Sequence, residues 1–117
     1  MYLIGDIGNT EIKIFLLDNK FVKIKKIFLK TSLMSKKYIH KKLNILKKKK
    51  MKLALFSSVV PSAYKLISSF LKKKFNISCS ELKNKNFTRL VKLMVNRSQV
   101  GSDRIANAIS VIDNRYN

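Results

Sequence analysis

The first thirty residues contain three apolar segments separated by two short turn signals, a spacing that favours a β-meander over any helical arrangement. The segments cover residues 2–7, 10–17 and 21–29, and the turns are Gly8-Asn9 and Asp18-Asn19. The second segment alternates between two sets of side chains, as a strand with two different faces does. Gly, Asn and Asp are the residues that tight turns favour. The sequence therefore predicts three antiparallel strands at the start of the chain.

The remaining residues predict helices that alternate with short strands. Ser35 is a candidate N-cap for a helix that ends near residue 49, and Pro61 suits the first turn of a second helix. Further strands are predicted over residues 52–59, 77–80 and 90–95, and a last amphipathic helix over 102–115. The order β-β-β-α-β-α-β-(β)-α indicates the α/β class, with one mixed sheet and helices on its faces. We expect residues 1–117 to form one ribonuclease-H-like lobe, in which three antiparallel N-terminal strands precede αβ units.

Both of the earlier helices have an apolar stripe with helical spacing. In the first helix, Ile39, Leu43 and Leu46 would face a core. In the second helix, Ala63, Ile67 and Phe70 are predicted to share one face, with Leu66 and Leu71 beside them. The sequence thus has enough apolar surface to cover a sheet.

The charge of the chain is strongly one-sided, with 26 Lys+Arg against 6 Asp+Glu and a net charge of +20. Such a surface attracts polyanions. However, 22 of the basic residues are Lys and only 4 are Arg, whereas nucleic-acid surfaces favour the bidentate Arg fork. Lys, Asn and Ile are all abundant, and A/T-rich codons produce that pattern on their own. We therefore expect no nucleic-acid partner.

Cysteine content and hydropathy exclude two other classes. Cys79 is the only cysteine, so an intrachain disulfide framework is excluded. No apolar stretch approaches the roughly 18 residues of a transmembrane helix. We expect a cytoplasmic protein that does not bind membranes.

A carboxylate stands near the end of the first predicted strand. Alternation places Asp6 on the same face as Tyr2 and Ile4. A carboxylate in that setting is costly to bury without a cation, and a Mg²⁺ ion carried by a nucleotide would supply one. Alternatively, Asp6 lies at a surface edge beside an ordinary hairpin turn. The spacing alone leaves both interpretations open.

The turn after Asp6 contains groups that suit a phosphate. Gly8 lets the backbone approach an anion closely, and N–H groups in a tight turn form an anion-binding nest. Asn9 and Thr10 add side-chain donors. Lys13, on the next predicted strand, could reach the same phosphates.

A second polar cluster, Gly101-Ser102-Asp103-Arg104, precedes the last predicted helix. Ser102 or Asp103 would be a good N-cap and would stabilise that helix by about 1 kcal/mol. The functional alternative makes Asp103 a general base that takes a proton from a substrate hydroxyl. Arg104 would then bind a substrate carboxylate through two hydrogen bonds.

Three blocks together resemble the N-terminal half of type III pantothenate kinase. The blocks are Asp6-Ile7-Gly8-Asn9-Thr10 followed by Lys13, Ser57-Ser58-Val59-Val60-Pro61, and Gly101-Ser102-Asp103-Arg104 with Asn107-Ala108. Their order and spacing match the family across nearly the whole chain. That family belongs to the superfamily of acetate kinase, hexokinase, Hsp70 and actin, whose members combine two ribonuclease-H-like lobes.

The resemblance implies ATP-dependent phosphorylation of pantothenate to 4′-phosphopantothenate, the first step of coenzyme A biosynthesis. It implies a metal and phosphate role for Asp6 and a catalytic-base role for Asp103. Phosphate binding is implied for Asp6, Ile7, Gly8, Asn9, Thr10 and Lys13, and pantothenate binding for Gly101, Ser102, Asp103 and Arg104. It further implies ATP with Mg²⁺, a monovalent cation (K⁺ or NH₄⁺) and a homodimer. The block that begins at Ser57 is interpreted as a structural strand end without a chemical role.

Three departures from the family pattern stand out. Ser102 replaces the commoner Ala, and Met94 replaces a Tyr that often precedes the catalytic Asp by nine residues. The Asp-x-Gly-Thr motif of the second lobe, which would bind the other phosphates and the monovalent cation, is absent from these residues. Because a cleft with one wall cannot position both reactants, we expect little kinase activity from this chain alone.

Two other functions remain open. A nuclease of ribonuclease-H-like fold would use Asp6 for Mg²⁺, but it needs several more carboxylates around two metals. Glu11, Asp18, Glu81, Asp103 and Asp113 are the other acidic residues. A non-catalytic remnant or regulatory lobe is the second alternative.

Overall fold

The computed structural model describes residues 1–20, 22–46, 50–82 and 89. The strands are β1 (Tyr2–Ile7), β2 (Glu11–Leu17), β3 (Lys23–Lys30), β4 (Leu53–Ser58) and β5 (Cys79–Glu81). The helices are α1 (Lys36–Leu43), which precedes β4, and α2 (Pro61–Phe75), which follows it. Two 3₁₀ turns, Thr31–Leu33 and Asn44–Leu46, flank α1.

The five strands form one mixed sheet in the order β3-β2-β1-β4-β5. β1 pairs antiparallel with β2, and β2 pairs antiparallel with β3. β4 pairs parallel with β1, and β5 pairs parallel with β4. The predicted meander is therefore present, and β1 is the central strand with a neighbour on each side.

Both helices pack on one face of the sheet. That face includes Leu3 and Ile7 of β1 and Phe56 of β4, which are fully buried. The helices contribute six residues to the same core cluster, namely Ile39, Leu43 and Leu46 from the α1 region and Ala63, Ile67 and Leu71 from α2. Alternation along β1 places Tyr2, Ile4 and Asp6 on the opposite face.

Local signals explain where the first helix begins and ends. The Ser35 side chain accepts a hydrogen bond from the backbone N–H of Tyr38 at 3.1 Å, which confirms the predicted N-cap. The helix ends at Leu43 and continues as a 3₁₀ turn to Leu46, so the helical end predicted near residue 49 is too late. Residues 47–49 lie outside the described part of the chain.

The second helix begins as predicted, with Pro61 in its first turn, but its buried face differs. Ala63 and Ile67 are joined in the core by Leu71, whereas Phe70 is half-buried. Phe70 instead makes edge contacts with the rings of His40 and Phe75, at centroid distances of 5.8 Å in both cases. The buried side chains of α2 are therefore spaced four residues apart, at Ala63, Ile67 and Leu71.

The structure at the C-terminal end of α2 explains why β5 begins later in the sequence than predicted. Asn76 adopts a left-handed conformation with φ of 56°, and the N–H of Ile77 bonds to the carbonyl of Leu71 at 3.2 Å. This arrangement is a helix C-terminal cap. Because Ile77 is used in the cap, the strand predicted over 77–80 runs from Cys79 to Glu81.

Several predicted features lie outside the described residues. They are the strand over 90–95, the last helix over 102–115, Met94, and the cluster Gly101-Ser102-Asp103-Arg104. Within the described residues, no helix is both long and apolar enough to cross a membrane.

Candidate functional site

Asp6 lies near the end of the central strand, on the sheet face away from α1 and α2. In the register of the sheet it stands between Lys13 of β2 and Ser57 of β4. Asp6 and Lys13 are half-buried, whereas Ser57 is fully buried. The carboxylate therefore has a basic residue on one side and a hydroxyl on the other.

The hydroxyl of Ser57 donates a hydrogen bond to Oδ1 of Asp6 at 2.7 Å. Two residues 51 positions apart in the sequence meet here because β4 pairs parallel with β1. A short hydrogen bond to a charged oxygen is stronger than one between neutral groups. It fixes one oxygen of the Asp6 carboxylate at the sheet.

Lys13 stands directly opposite Asp6 on the neighbouring antiparallel strand. Residues in that relation have adjacent side chains on one face, and opposite charges there attract each other. The sequence predicted Lys13 on the strand after the turn, and the structure places it there; its reach to a phosphate stays a prediction.

The hairpin between β1 and β2 is closed by a bond from the N–H of Gly8 to the carbonyl of Glu11 at 3.0 Å. A Cβ at position 8 would stand 3.0 Å from that same carbonyl oxygen, a tight contact that would push the two backbones apart by a few tenths of an ångström. None of the described glycines has a positive φ. Glycine at position 8 therefore allows the close approach of the two backbones and is not there for a left-handed conformation.

Thr31, the first residue after β3, forms hydrogen bonds to the hairpin between β1 and β2. The Thr31 hydroxyl donates to the carbonyl of Gly8 at 2.8 Å, and the Thr31 N–H donates to the carbonyl of Thr10 at 3.1 Å. Asn9 and Thr10 have exposed side chains. The backbone of this loop is thus anchored, while its polar side chains face solvent.

Ile7 differs from the other members of its block. Its side chain is fully buried in the core on the helix side of the sheet. Its carbonyl accepts a hydrogen bond from the N–H of Val59 at 3.0 Å. The side chain of Ile7 therefore contributes to core packing, whereas its sequence neighbours Asp6 and Gly8 lie at the candidate site.

The end of β4 is closed by a small turn. Ser58 accepts a hydrogen bond from the N–H of Val60 and donates to the carbonyl of the same residue, both at 3.1 Å. From the sequence, the whole block from Ser57 to Pro61 is predicted to be structural. The contact between Ser57 and Asp6 is therefore not predicted, and the sequence offers only one signal for it: two hydroxyl residues end an apolar strand.

The side chains at this site suit a metal ion whose other ligands are waters and substrate phosphates. Among the residues that the structure describes, no three His, Cys, Asp or Glu side chains are grouped closely enough to hold a metal ion. Mg²⁺ is usually bound through one or two carboxylates together with waters and substrate phosphates. A single half-buried carboxylate beside an exposed polar loop fits that mode of binding.

A broad depression of about 1180 Å³ lies elsewhere, beside α1 and α2. Its lining includes His40, Lys65, Tyr64 and Cys79 but not Asp6. Burial raises the pKa of the Cys79 thiol to about 12. A thiol in that state is a poor nucleophile, so we assign no chemistry to this depression.

The described part of the chain is thus an α/β lobe with a carboxylate and an anchored polar hairpin at the end of its central strand. Comparison with known proteins identifies the family. The sequence profile of the type III pantothenate kinases matches residues 2–117, and the chain belongs to this family.

A curated relative supports the same assignment. A type III pantothenate kinase of Pelagibacter ubique (strain HTCC1062) is 46% identical over 123 aligned positions. The alignment includes 100% of this chain and 48% of the relative. The chain therefore spans about half the length of the curated protein that it matches.

Proposed function

We propose that this chain takes part in the ATP-dependent phosphorylation of pantothenate to 4′-phosphopantothenate. Membership of the type III pantothenate kinase family supports the reaction. The observation that carries the proposal is the half-buried Asp6, held by Ser57 next to the Gly8–Thr10 hairpin. Carboxylates and backbone amides of this kind bind metal-bound phosphates in other nucleotide sites.

We infer that the chain forms a ribonuclease-H-like lobe and supplies one wall of a cleft. The strand order β3-β2-β1-β4-β5 supports this fold, with an antiparallel meander on one side and parallel αβ units on the other. A second lobe would supply the other wall, with the remaining phosphate contacts and the monovalent cation.

Asp6 would be the residue of this lobe that faces Mg²⁺–ATP. When bound, the metal would neutralise phosphate charge during transfer. Asp6 would present its carboxylate to the metal near the end of β1, where Ser57 and Lys13 flank it. Because one oxygen is engaged by Ser57, the other has the larger remaining capacity to accept a cation.

The hairpin would position the phosphates of ATP. Gly8 keeps the loop close to the strand end, and Asn9 and Thr10 offer side-chain donors from exposed positions. Lys13 adds positive charge from the neighbouring strand. Positioning and electrostatic stabilisation provide most of the catalysis in phosphoryl transfer.

The block from Gly101 to Arg104 would bind pantothenate. Asp103 would orient the attacking hydroxyl and accept its proton, and Arg104 would bind the substrate carboxylate. Gly101 and Ser102 would contribute the close backbone approach. The enzyme would work in the cytoplasm as a homodimer, with K⁺ or NH₄⁺ bound in the second lobe.

The proposal is tested with the full-length product of the gene, after sequencing the coding DNA past the codon for Asn117. Phosphorylation of pantothenate is followed with ATP, Mg²⁺ and a potassium or ammonium salt. We expect turnover by a protein with both lobes, and its loss in Asp6→Asn and Asp103→Asn. Turnover that survives both substitutions would overturn the assigned roles.

The nuclease alternative is separated by a second assay. A labelled duplex is incubated with the protein and Mg²⁺, with Asp6→Asn as the matched control. The kinase proposal expects no cleavage that depends on Asp6. Cleavage lost in this variant, without phosphorylation of pantothenate, would favour the nuclease.

A further inference from the structure

We propose that Ser57 is a positioning residue for the Asp6 carboxylate, fixing the direction in which that carboxylate faces a nucleotide-bound metal. The inference rests on the proposed function, because it assigns Ser57 to the same site. Ser57 belongs to a block that the sequence predicts to be a structural strand end. The geometry indicates that Ser57, unlike the rest of this block, has a role at the site.

Ser57 is held rigidly within the sheet. It is the only polar residue among the fully buried side chains of the described part, with 0% exposure. It lies on β4, in register with Asp6 on the parallel neighbour β1. A buried side chain on an interior strand has few rotamers available, so its hydroxyl is a fixed point at the sheet.

The hydrogen bond from Ser57 also has a defined direction. A serine hydroxyl has one hydrogen to donate, and Ser57 donates it to Oδ1 of Asp6 at 2.7 Å. The terminal torsion of an aspartate is broad and roughly two-fold. The bond to Ser57 selects one orientation and distinguishes Oδ1 from Oδ2. A metal would then meet a carboxylate that is already oriented.

Groups that orient a metal ligand through a hydrogen bond contribute to metal affinity. Their loss typically reduces affinity about 10-fold to 100-fold. Because Ser57 would act through Asp6, its removal should have no effect once Asp6 can no longer bind the metal. This dependence separates a positioning role from a contribution to stability alone.

The chain offers a matched control in the next residue. Ser58 also forms hydrogen bonds through its hydroxyl, but to the backbone of Val60 at 3.1 Å. Successive residues of a strand point to opposite faces, so Ser58 points away from Asp6. Ser57→Ala and Ser58→Ala remove the same group from adjacent positions on opposite faces of β4.

The experiment measures binding of Mn²⁺–ATP to the full chain, because Mn²⁺ broadens nearby NMR signals even when binding is weak. The variants are Ser57→Ala, Ser58→Ala, Asp6→Asn and the double variant Asp6→Asn with Ser57→Ala. Broadening of the Gly8–Thr10 amide signals gives the affinity, and urea unfolding gives the stability of each variant. Ser57→Cys keeps a weak donor of similar size and tests the role if the alanine variant fails to fold.

We expect Ser57→Ala to weaken Mn²⁺–ATP binding about tenfold or more, Ser57→Cys to weaken it less, and Ser58→Ala to leave it unchanged. Asp6→Asn should weaken binding further, with no additional effect from Ser57→Ala. Loss of affinity in Asp6→Asn but not in the Ser57 variants overturns only the role of Ser57. Unchanged affinity in Asp6→Asn overturns the metal site of the proposed function, and this inference with it.

Discussion

Gly5 of β1 lies against the ring of Phe56 on the parallel neighbour β4, so closely that a Cβ at position 5 would stand 2.5 Å from Cδ1 of that ring. Phe56 is fully buried and makes an edge contact with Tyr64 at a centroid distance of 6.2 Å. The ring is therefore closed off from solvent by its neighbours. The two strands that carry Asp6 and Ser57 depend on this glycine for their packing.

Gly5→Ala is expected to lower the free energy of unfolding by about 1–3 kcal/mol, the usual cost of overpacking a core. Urea unfolding measures the change. Phe56→Leu should cost less in the Gly5→Ala background than in the wild type, because the smaller side chain relieves the overlap. Strictly additive effects of the two substitutions would contradict this account.

Thr31→Val should loosen the hairpin without removing the strand that precedes it. Valine has nearly the same shape as threonine but cannot donate to the carbonyl of Gly8, which Thr31 now does at 2.8 Å. Faster hydrogen exchange at the amides of residues 8–11 is the expected result, with a loss of stability of about 1 kcal/mol. Thr31→Ser retains the hydroxyl and should exchange like the wild type. Equal exchange in all three proteins would contradict the role of Thr31.

Ser35→Ala is expected to destabilise the protein by about 1 kcal/mol, since the N–H of Tyr38 loses its acceptor at the start of α1. Denaturant unfolding measures the difference, and Ser35→Asp should preserve most of the stability because aspartate is also a good N-cap. Ser69→Ala on the exposed side of α2 is the matched control. It should change stability by less than about 0.5 kcal/mol, so a similar loss at both positions would argue against the cap.

Alkaline pH should destabilise the wild type more than Cys79→Ala. Burial raises the pKa of the Cys79 thiol from 9.0 to about 12. Above pH 9.0 the unfolded chain therefore loses this proton while the folded chain keeps it, and stability falls as the pH rises toward 12. Tyr64 shows the same direction, with its pKa raised to about 12 by burial and by Cys79 and Glu81. Removing Cys79 takes away its own contribution and also its part in raising the pKa of Tyr64, while the part due to burial and Glu81 remains.

Urea unfolding of wild type and Cys79→Ala at pH 7, 9 and 10.5 checks this prediction. The difference in free energy between the two proteins should stay constant well below pH 9.0 and change in favour of the variant as the pH rises through 9.0. The comparison between variants cancels the titration of the lysines, which both proteins share. Parallel curves over the whole range would show that Cys79 ionises equally in the folded and unfolded states.

The parts of the fold that could be predicted from sequence depend on local signals. The meander follows from alternation and from turn residues that lie within the first thirty positions. The same is true of the N-cap at Ser35 and of Pro61 at the start of α2. These features are decided by neighbours in the sequence, so no knowledge of the tertiary structure is needed to place them.

Features that depend on packing could not be placed in this way. The choice between Phe70 and Leu71 for the buried face of α2 depends on how the helix rotates against the sheet. The start of β5 depends on the helix cap at Asn76. At the site, Asp6 and its loop could be predicted from local motifs, but the contact with Ser57 requires the parallel register of two strands. The block around Asp103 lies outside the described residues, and its role stays a prediction.

The separation of 51 positions between Asp6 and Ser57 also sets an order of events during synthesis. A nascent chain that has left the ribosome as far as β3 already contains every residue of the antiparallel meander. Asp6 is then present, but Ser57, whose hydroxyl donates to its carboxylate, has not yet been synthesised. The two meet only when β4 pairs with β1, so the carboxylate cannot reach its final orientation before β4 has left the ribosome.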